Sequence, residues 1–228
     1  MTSRLLTLPH AGAGAGTYRS WQRFESESLR LRAIQLPGRE EEFTSLHYST
    51  FAEAAAGTAE RIHAAAGGDP YVLFGHSFGA VLAYEATHHL LASGGPLPRH
   101  LVLSGSVSPR RRGPQWISDD DEEAVADLKR GSGGGLEALD HPELRALLLP
   151  TIRADIRLLS SYVPSTLEPL PVPMTVLRGA DDTTVPEDEW LDWSAFTSEK
   201  FESIEMPGAH MYVTGCVPEL WRIIEGVL

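Results

Sequence analysis

A serine enclosed by glycines is the strongest sign of chemistry in the sequence. The segment G-H-S-F-G at 75–79 follows an apolar run at 71–74 and directly precedes a helical pattern. Strand, tight turn and helix in that order are the setting of a nucleophile elbow, in which the turn exposes the serine hydroxyl. Glycines on either side let backbone segments approach, because a Cβ atom there would collide with them. We predict that Ser77 is a nucleophile and that the amide of Phe78 contributes to an oxyanion hole.

A serine nucleophile needs a histidine base, and the base needs an acid that orients it. The chain order typical of this elbow is serine, then acid, then histidine. His210 fits that order, on a loop after a predicted strand at 200–206. The other histidines beyond Ser77 lie within a helical pattern, open a strand or precede any suitable acid. We therefore predict that His210 is the base.

Two adjacent aspartates are available as the acid, directly after a predicted strand at 174–178. Adjacent side chains in an extended loop point in opposite directions, so only one of them can face His210. We favour Asp182, because it lies beyond the turn, and Asp181 is the alternative.

A second oxyanion donor is expected from the loop at 8–16, where alternating Ala and Gly allow the backbone to turn its amides inward. The same loop begins like a dinucleotide-binding fingerprint. That interpretation fails because Thr17 stands where the third glycine is required, and 28–32 offers no carboxylate for a ribose.

Alternating elements predict the fold. Short apolar segments predict six strands, at 4–8, 31–36, 71–74, 100–104, 174–178 and 200–206. Helical patterns occupy 49–66, 78–92 and 218–227. Strands that alternate with helices predict an α/β fold, a mostly parallel central sheet flanked by helices, in a single domain over 1–228.

One interval interrupts this alternation, at 107–173, where no strand is predicted. We expect a helical insertion that acts as a lid over the edge of the sheet. Its helical stretch at 141–162 contains Pro150, which should kink or divide it. A glycine-rich link at 131–135 is either a hinge or a surface loop.

Composition excludes several classes of protein. The chain has 228 residues, with 19 basic and 31 acidic side chains and a net charge of −12, which argues against nucleic acid as a partner. It has no apolar run long enough to span a membrane. Cys216 is the sole cysteine, so no intramolecular disulfide can form, and no metal-binding motif is present. We expect a cytoplasmic protein without a metal.

Several blocks of the sequence together resemble a known family. They are LPHAGAGAGTYRSW, IQLPGREEEF, VLFGHSFGAVLAYEAT, LVLSGSVSP, LLLPTIRADIRLLSSY, MTVLRGADD and PGAHMYV. Nearly end to end, the chain resembles the type II thioesterases of polyketide and nonribosomal peptide assembly lines, within the α/β-hydrolase superfamily. The resemblance implies Ser77, Asp182 and His210 as the catalytic triad and Ala11 and Phe78 as the oxyanion donors.

The resemblance also implies a reaction and a partner. The reaction is hydrolysis of an acyl thioester on the phosphopantetheine arm of an acyl or peptidyl carrier protein, through an acyl-serine and without a cofactor. The alternative is a small-molecule carboxylesterase with the same triad. Phe78 and Met211 depart from the family's usual residues beside the nucleophile and the base, so we expect them to shape the acyl pocket, with Met211 binding substrate. Because carrier proteins are acidic, the arginines at 110–112 are either a docking patch or a solvated run of charge.

Overall fold

A parallel β-sheet forms the centre of the protein. The computed structural model describes residues 2–113, 116–132 and 136–228. The strands are β1 (Ser3–Leu8), β2 (Leu29–Ala33), β3 (Tyr71–His76), β4 (His100–Ser104), β5 (Met174–Gly179) and β6 (Phe201–Met206). They lie in the order β2-β1-β3-β4-β5-β6, and every pairing among the described residues is parallel. The predicted α/β class with its parallel sheet is confirmed.

The helices cover both faces of this sheet. They are α1 (Phe51–Ala66), α2 (Phe78–Ser93), α3 (Asp121–Ser132), α4 (Pro142–Ser160), α5 (Glu187–Trp190) and α6 (Val217–Gly226). Side chains of α1 and α2 share one apolar core with Leu6 and Leu73, whereas α6 shares a second core with Leu5 and Val72. Neighbouring strand residues therefore face opposite layers, which explains why β1 and β3 each have apolar residues at consecutive positions. None of the described helices is long and apolar enough to cross a bilayer.

One predicted strand is shifted. β2 begins before the predicted 31–36 segment and ends at Ala33. Ile34 still donates its amide to the carbonyl of Thr7, and Ile34 and Leu36 are buried in the core beyond the strand. Apolar character at 34–36 thus reflects burial of a loop rather than strand pairing.

The 107–173 interval is largely helical, with α3 and α4 as its main elements. Pro150 lies inside α4 and does not divide it, so that part of the prediction is wrong. The reason is that the loss at the proline is local, while Leu149 and Ile152 on either side are buried, Ile152 within an apolar cluster. Residues 133–135 of the predicted glycine link lie outside the described residues.

Candidate active site

Ser77 lies on the tight turn between β3 and α2. Its φ of 55° and ψ of −112° are strained for a residue with a side chain. The flanking glycines explain how the turn closes. A Cβ on Gly75 would lie 2.1 Å from the carbonyl oxygen of Gly79, and one on Gly79 would lie 2.4 Å from that of Leu8. The close approach of backbone predicted from the two glycines is therefore present.

The structure brings the three predicted triad residues together. The hydroxyl of Ser77 lies 3.1 Å from Nε2 of His210, and Nδ1 of His210 lies 2.7 Å from Oδ2 of Asp182. Asp182 follows β5 and His210 follows β6, so neighbouring parallel strands carry the acid and the base to the same edge of the sheet. Asp181 is exposed, and its amide bonds to the carbonyl of Gly208. The geometry therefore favours Asp182 over Asp181 as the acid.

Hydrogen bonds keep the buried Asp182 ionised. Its side chain is 0% exposed. Burial by itself would raise the pKa of this carboxyl, but hydrogen bonding and charge from His210, together with Thr184, lower it below the usual value. Thr184 donates its hydroxyl and its amide to Oδ1, at 2.6 and 2.9 Å. Both carboxylate oxygens are therefore engaged, one by Thr184 and the other by His210.

Two further histidines border the site. The ring of His76 lies 5.1 Å from that of His210, and its Nδ1 lies 2.8 Å from the hydroxyl of Ser104. Burial, followed by the charge on His210, holds the pKa of His76 well below its usual value. The same two causes lower the pKa of His10 to about 4. Both rings are neutral near pH 7, which leaves Asp182 as the charged partner of His210.

The two expected oxyanion donors come from different segments of the chain. Phe78 is the first residue of α2, so its amide belongs to the helix N-terminus, where backbone N–H groups favour negative charge. Ala11 and Ser77 line the same cavity. The loop that carries Ala11 is fixed by its neighbour Gly12, which donates its amide to Oδ2 of Asp155 at 2.8 Å.

A buried ion pair holds Asp155 in turn. Nη1 and Nη2 of Arg39 donate to its two carboxylate oxygens at 2.7 and 2.8 Å. The side chains are 7% and 1% exposed for Arg39 and Asp155. Helix α4 also packs closely on the loop, because a Cβ on Gly12 would lie 2.1 Å from Cγ1 of Ile152. The insertion and the proposed oxyanion loop are thus one connected unit.

A cavity of about 260 Å³ opens on Ser77 and His210. Met211, the predicted substrate-binding residue, is part of its lining. Much of the remaining wall comes from the 107–173 insertion, including Ile117, Leu128, Ile152, Ile156 and Leu159. The side chain of Phe78 is instead buried in the core, with its ring 6.1 Å from that of Phe51.

The three arginines at 110–112 separate into two groups. Arg110 and Arg111 are half-exposed and lie 3.6 and 3.8 Å from the carboxylate of Asp192. Arg112 turns the other way and lines the cavity. The predicted docking patch therefore has two outward arginines, not three.

Sequence reasoning missed several residues that support the site. Thr184 had a local signal, since an aspartate two residues before a threonine forms a compact turn through its side chain. His76 stood inside the elbow motif without an assigned role. The pair of Arg39 and Asp155 had only a weak signal, an acidic residue within the apolar pattern of a helix.

Comparisons with known proteins identify the family. Residues 3–228 match the thioesterase domain family. The chain is 33% identical over 224 residues, 97% of its length, to the AMB antimetabolite synthetase AmbE of Pseudomonas aeruginosa, of which it spans 10%. The RedJ thioesterase from the prodiginine pathway of Streptomyces coelicolor has a TM-score of 0.89 at 29% identity, over 99% of this chain and 85% of that one.

A further solved structure has the same architecture. The type II thioesterase BorB from the borrelidin biosynthetic cluster has a TM-score of 0.87 at 28% identity, over 100% of this chain and 93% of that one. These structural neighbours have the α/β-hydrolase fold, which confirms the predicted fold class. The family match, which covers nearly the whole sequence, confirms the predicted resemblance: the chain belongs to the thioesterase domain family.

Proposed function

We propose that this thioesterase hydrolyses acyl thioesters on the phosphopantetheine arm of an acyl or peptidyl carrier protein, as an editing or release enzyme of a polyketide or nonribosomal peptide assembly line. The observation that carries the proposal is the hydrogen-bonded line from Ser77 through His210 to Asp182, which opens into a cavity. The solved structures of RedJ and BorB, each described as belonging to a biosynthetic pathway or cluster, support the assembly-line setting.

Acylation is the first half of the proposed reaction. Nε2 of His210 takes the proton of the Ser77 hydroxyl, and the serine oxygen attacks the thioester carbonyl. The amides of Ala11 and Phe78 hold the oxyanion, and the N-terminus of α2 adds favourable electrostatics. The carbon–sulfur bond then breaks, and the imidazolium of His210 returns the proton to the leaving thiol. Asp182 stabilises that imidazolium and fixes the tautomer of the neutral ring.

Deacylation repeats these roles with water. His210 removes a proton from a water molecule, which attacks the acyl-serine, and the proton then returns to the oxygen of Ser77 as the carboxylic acid leaves. In this proposal the acyl chain lies in the cavity against Met211, and the insertion at 107–173 is the lid. A cytoplasmic setting is part of the proposal, and the single cysteine, Cys216, fits a reducing compartment.

A hydrolysis panel tests the proposal. Carrier proteins loaded with acyl groups from acetyl to long chains are incubated with the enzyme, and loss of the acyl mass is followed by intact-protein mass spectrometry. We expect Ser77→Ala to lower the rate by about 10⁴-fold or more. Ser93→Ala, at the end of the same helix, is the matched control and should retain the rate.

Two results would contradict the proposal. Unchanged hydrolysis by the Ser77→Ala enzyme would show that Ser77 is not the nucleophile. A large preference for free oxygen esters over carrier-bound thioesters would instead identify a small-molecule carboxylesterase that uses the same residues.

A further inference from the structure

Arg112 is a partly buried cation in the wall of the cavity. Its Nη2 donates to the hydroxyl of Ser106 at 2.6 Å. Its Nε is buried and has no hydrogen-bond partner among the described residues. An arginine presents five N–H donors, and a buried donor without a partner costs free energy. The part of the chain that the structure describes therefore leaves the guanidinium incompletely satisfied.

The charge of Arg112 also has no counterion within the described ranges. Among the residues that the structure describes, no carboxylate lies within ion-pair distance of it, whereas Arg110 and Arg111 both lie near Asp192. Burial lowers the pKa of Arg112 to about 10, with a small opposing effect from Tyr162, so the side chain stays charged at pH 7. Burying a cation without a paired anion is unfavourable, and such a group favours binding of an anion.

The surroundings of Arg112 restrict where that anion comes from. Of the described residues that line the cavity, Arg112 is the only arginine or lysine, and the lining also includes the apolar Val107 and Leu159. The one carboxylate in this described lining, that of Asp127, is paired with Arg130. Ser77 lines the same cavity. An acyl group on Ser77 would occupy this space directly, while the phosphate of a pantetheine arm lies at the far end of the arm from the thioester carbon. The acyl chain is thus the part of the substrate best placed to reach Arg112.

We propose that Arg112 binds a carboxylate on the acyl chain, so that the enzyme favours acyl groups with a terminal carboxylate over apolar groups of the same shape. The inference rests on the proposed function and adds a substrate class to it. Two charge-assisted N–H···O bonds, one from the unpartnered Nε, would pair the guanidinium with the flat carboxylate. Arg112 would then be a specificity-determining residue.

Matched pairs of small thioesters provide the test. Malonyl is compared with 3-methylbutanoyl, and glutaryl with 5-methylhexanoyl, because an isopropyl group has nearly the shape of a carboxylate. All four are presented on N-acetylcysteamine, which has no phosphate, so any preference must come from the acyl group. The readout is the ratio of kcat/KM within each pair, after subtraction of spontaneous hydrolysis.

We expect the wild-type enzyme to prefer the carboxylate in at least one pair. Arg112→Met should lower that preference by about 10- to 100-fold, the effect of losing a hydrogen bond to a charged group. Arg112→Lys should keep part of the preference, because it keeps the charge. Arg222→Met, an exposed arginine on α6, is the control and should leave the ratio unchanged.

The ratio of kcat/KM within a matched pair distinguishes recognition of the acyl carboxylate by Arg112 from a purely structural role of this residue. If Arg112→Met lowers kcat/KM equally for both members of a pair, or if the wild type has no preference, the inference is overturned. Where Arg112→Met has a reduced melting temperature, the ratio in Arg112→Lys decides the outcome. Failure of the wild type to hydrolyse any thioester, on N-acetylcysteamine or on carrier proteins, would instead overturn the proposed function.

Discussion

The buried pair of Arg39 and Asp155 gives a sharp test of how the insertion supports the site. Asp155 lies on α4 and accepts three hydrogen bonds, two from Arg39 and one from the amide of Gly12. Replacing it by alanine leaves a buried guanidinium without its anion and a backbone amide without its acceptor. Both losses fall next to Ala11, the proposed oxyanion donor.

The size of the effect follows from burial. Removing one partner of a buried ion pair costs about 3–5 kcal/mol, because the remaining charge stays desolvated. At this chain length each kcal/mol lowers Tm by roughly 2–4 °C, so Asp155→Ala should lower Tm by about 8–16 °C for a cost near 4 kcal/mol. Arg157→Ala on the same helix removes an exposed pair with Asp119 and should cost less than about 1 kcal/mol.

A double variant separates stability from positioning. Arg39→Met with Asp155→Leu removes both charges and fills the space with apolar atoms, which is often neutral or stabilising for a buried pair. This variant should recover most of the lost Tm. It still lacks the acceptor for the Gly12 amide, so we expect kcat to stay reduced by about 10- to 100-fold. This reduction is no larger than the one expected when an oxyanion donor is removed.

The assays are thermal unfolding and hydrolysis of one carrier-bound acyl group. If Asp155→Ala unfolds at the same temperature as Arg157→Ala, the buried pair does not stabilise the fold as argued. If the double variant has the wild-type kcat, the bond from Gly12 does not position the loop.

Two further predictions concern the acid and the buried histidines. Asp182→Asn should lower kcat by roughly 10³- to 10⁴-fold, whereas Asp181→Asn should change it by about twofold or less; equal losses would reopen the choice of acid. Burial lowers the pKa values of His88 and His100 to about 4, so between about pH 6.5 and 4 the unfolded chain binds more protons than the folded one. The free energy of unfolding in urea should therefore fall as the pH drops through this window, by up to about 1.4 kcal/mol per pH unit for each histidine. His88→Leu should make the decline shallower, and stability that does not change with pH would contradict this reasoning.

Local patterns predicted much of the fold and the central residues of the site. Buried parallel strands are apolar on both faces, so β3 and β4 stand out in the sequence as short apolar runs. The elbow is local as well, because Gly75, Ser77 and Gly79 occupy alternate positions of one short segment. The positions of the acid and base follow from chain order, since both come directly after strands.

Long-range contacts were beyond such patterns. Arg39 and Asp155 are far apart in sequence, and either residue in isolation resembles an ordinary surface charge until the fold buries it. The inward turn of Arg112 was hidden for the same reason, since it lies in a run of three arginines. Pro150 illustrates the opposite error, because tertiary packing outweighed a local propensity.

The two helices of the insertion are held in different ways, which has a consequence for ionic strength. Helix α4 is fixed to the body through the buried Asp155. Two acidic residues of α3 contact α4 through exposed carboxylates, in the pairs of Asp121 with Arg153 and Glu122 with Arg145. Dissolved salt screens exposed pairs and leaves buried ones nearly unchanged. Added salt should therefore weaken the charged contacts of α3, while its apolar contact through Val125 with Ile152 and Ile156 stays in place. We expect any effect of salt on hydrolysis to appear with bulky acyl groups before small ones.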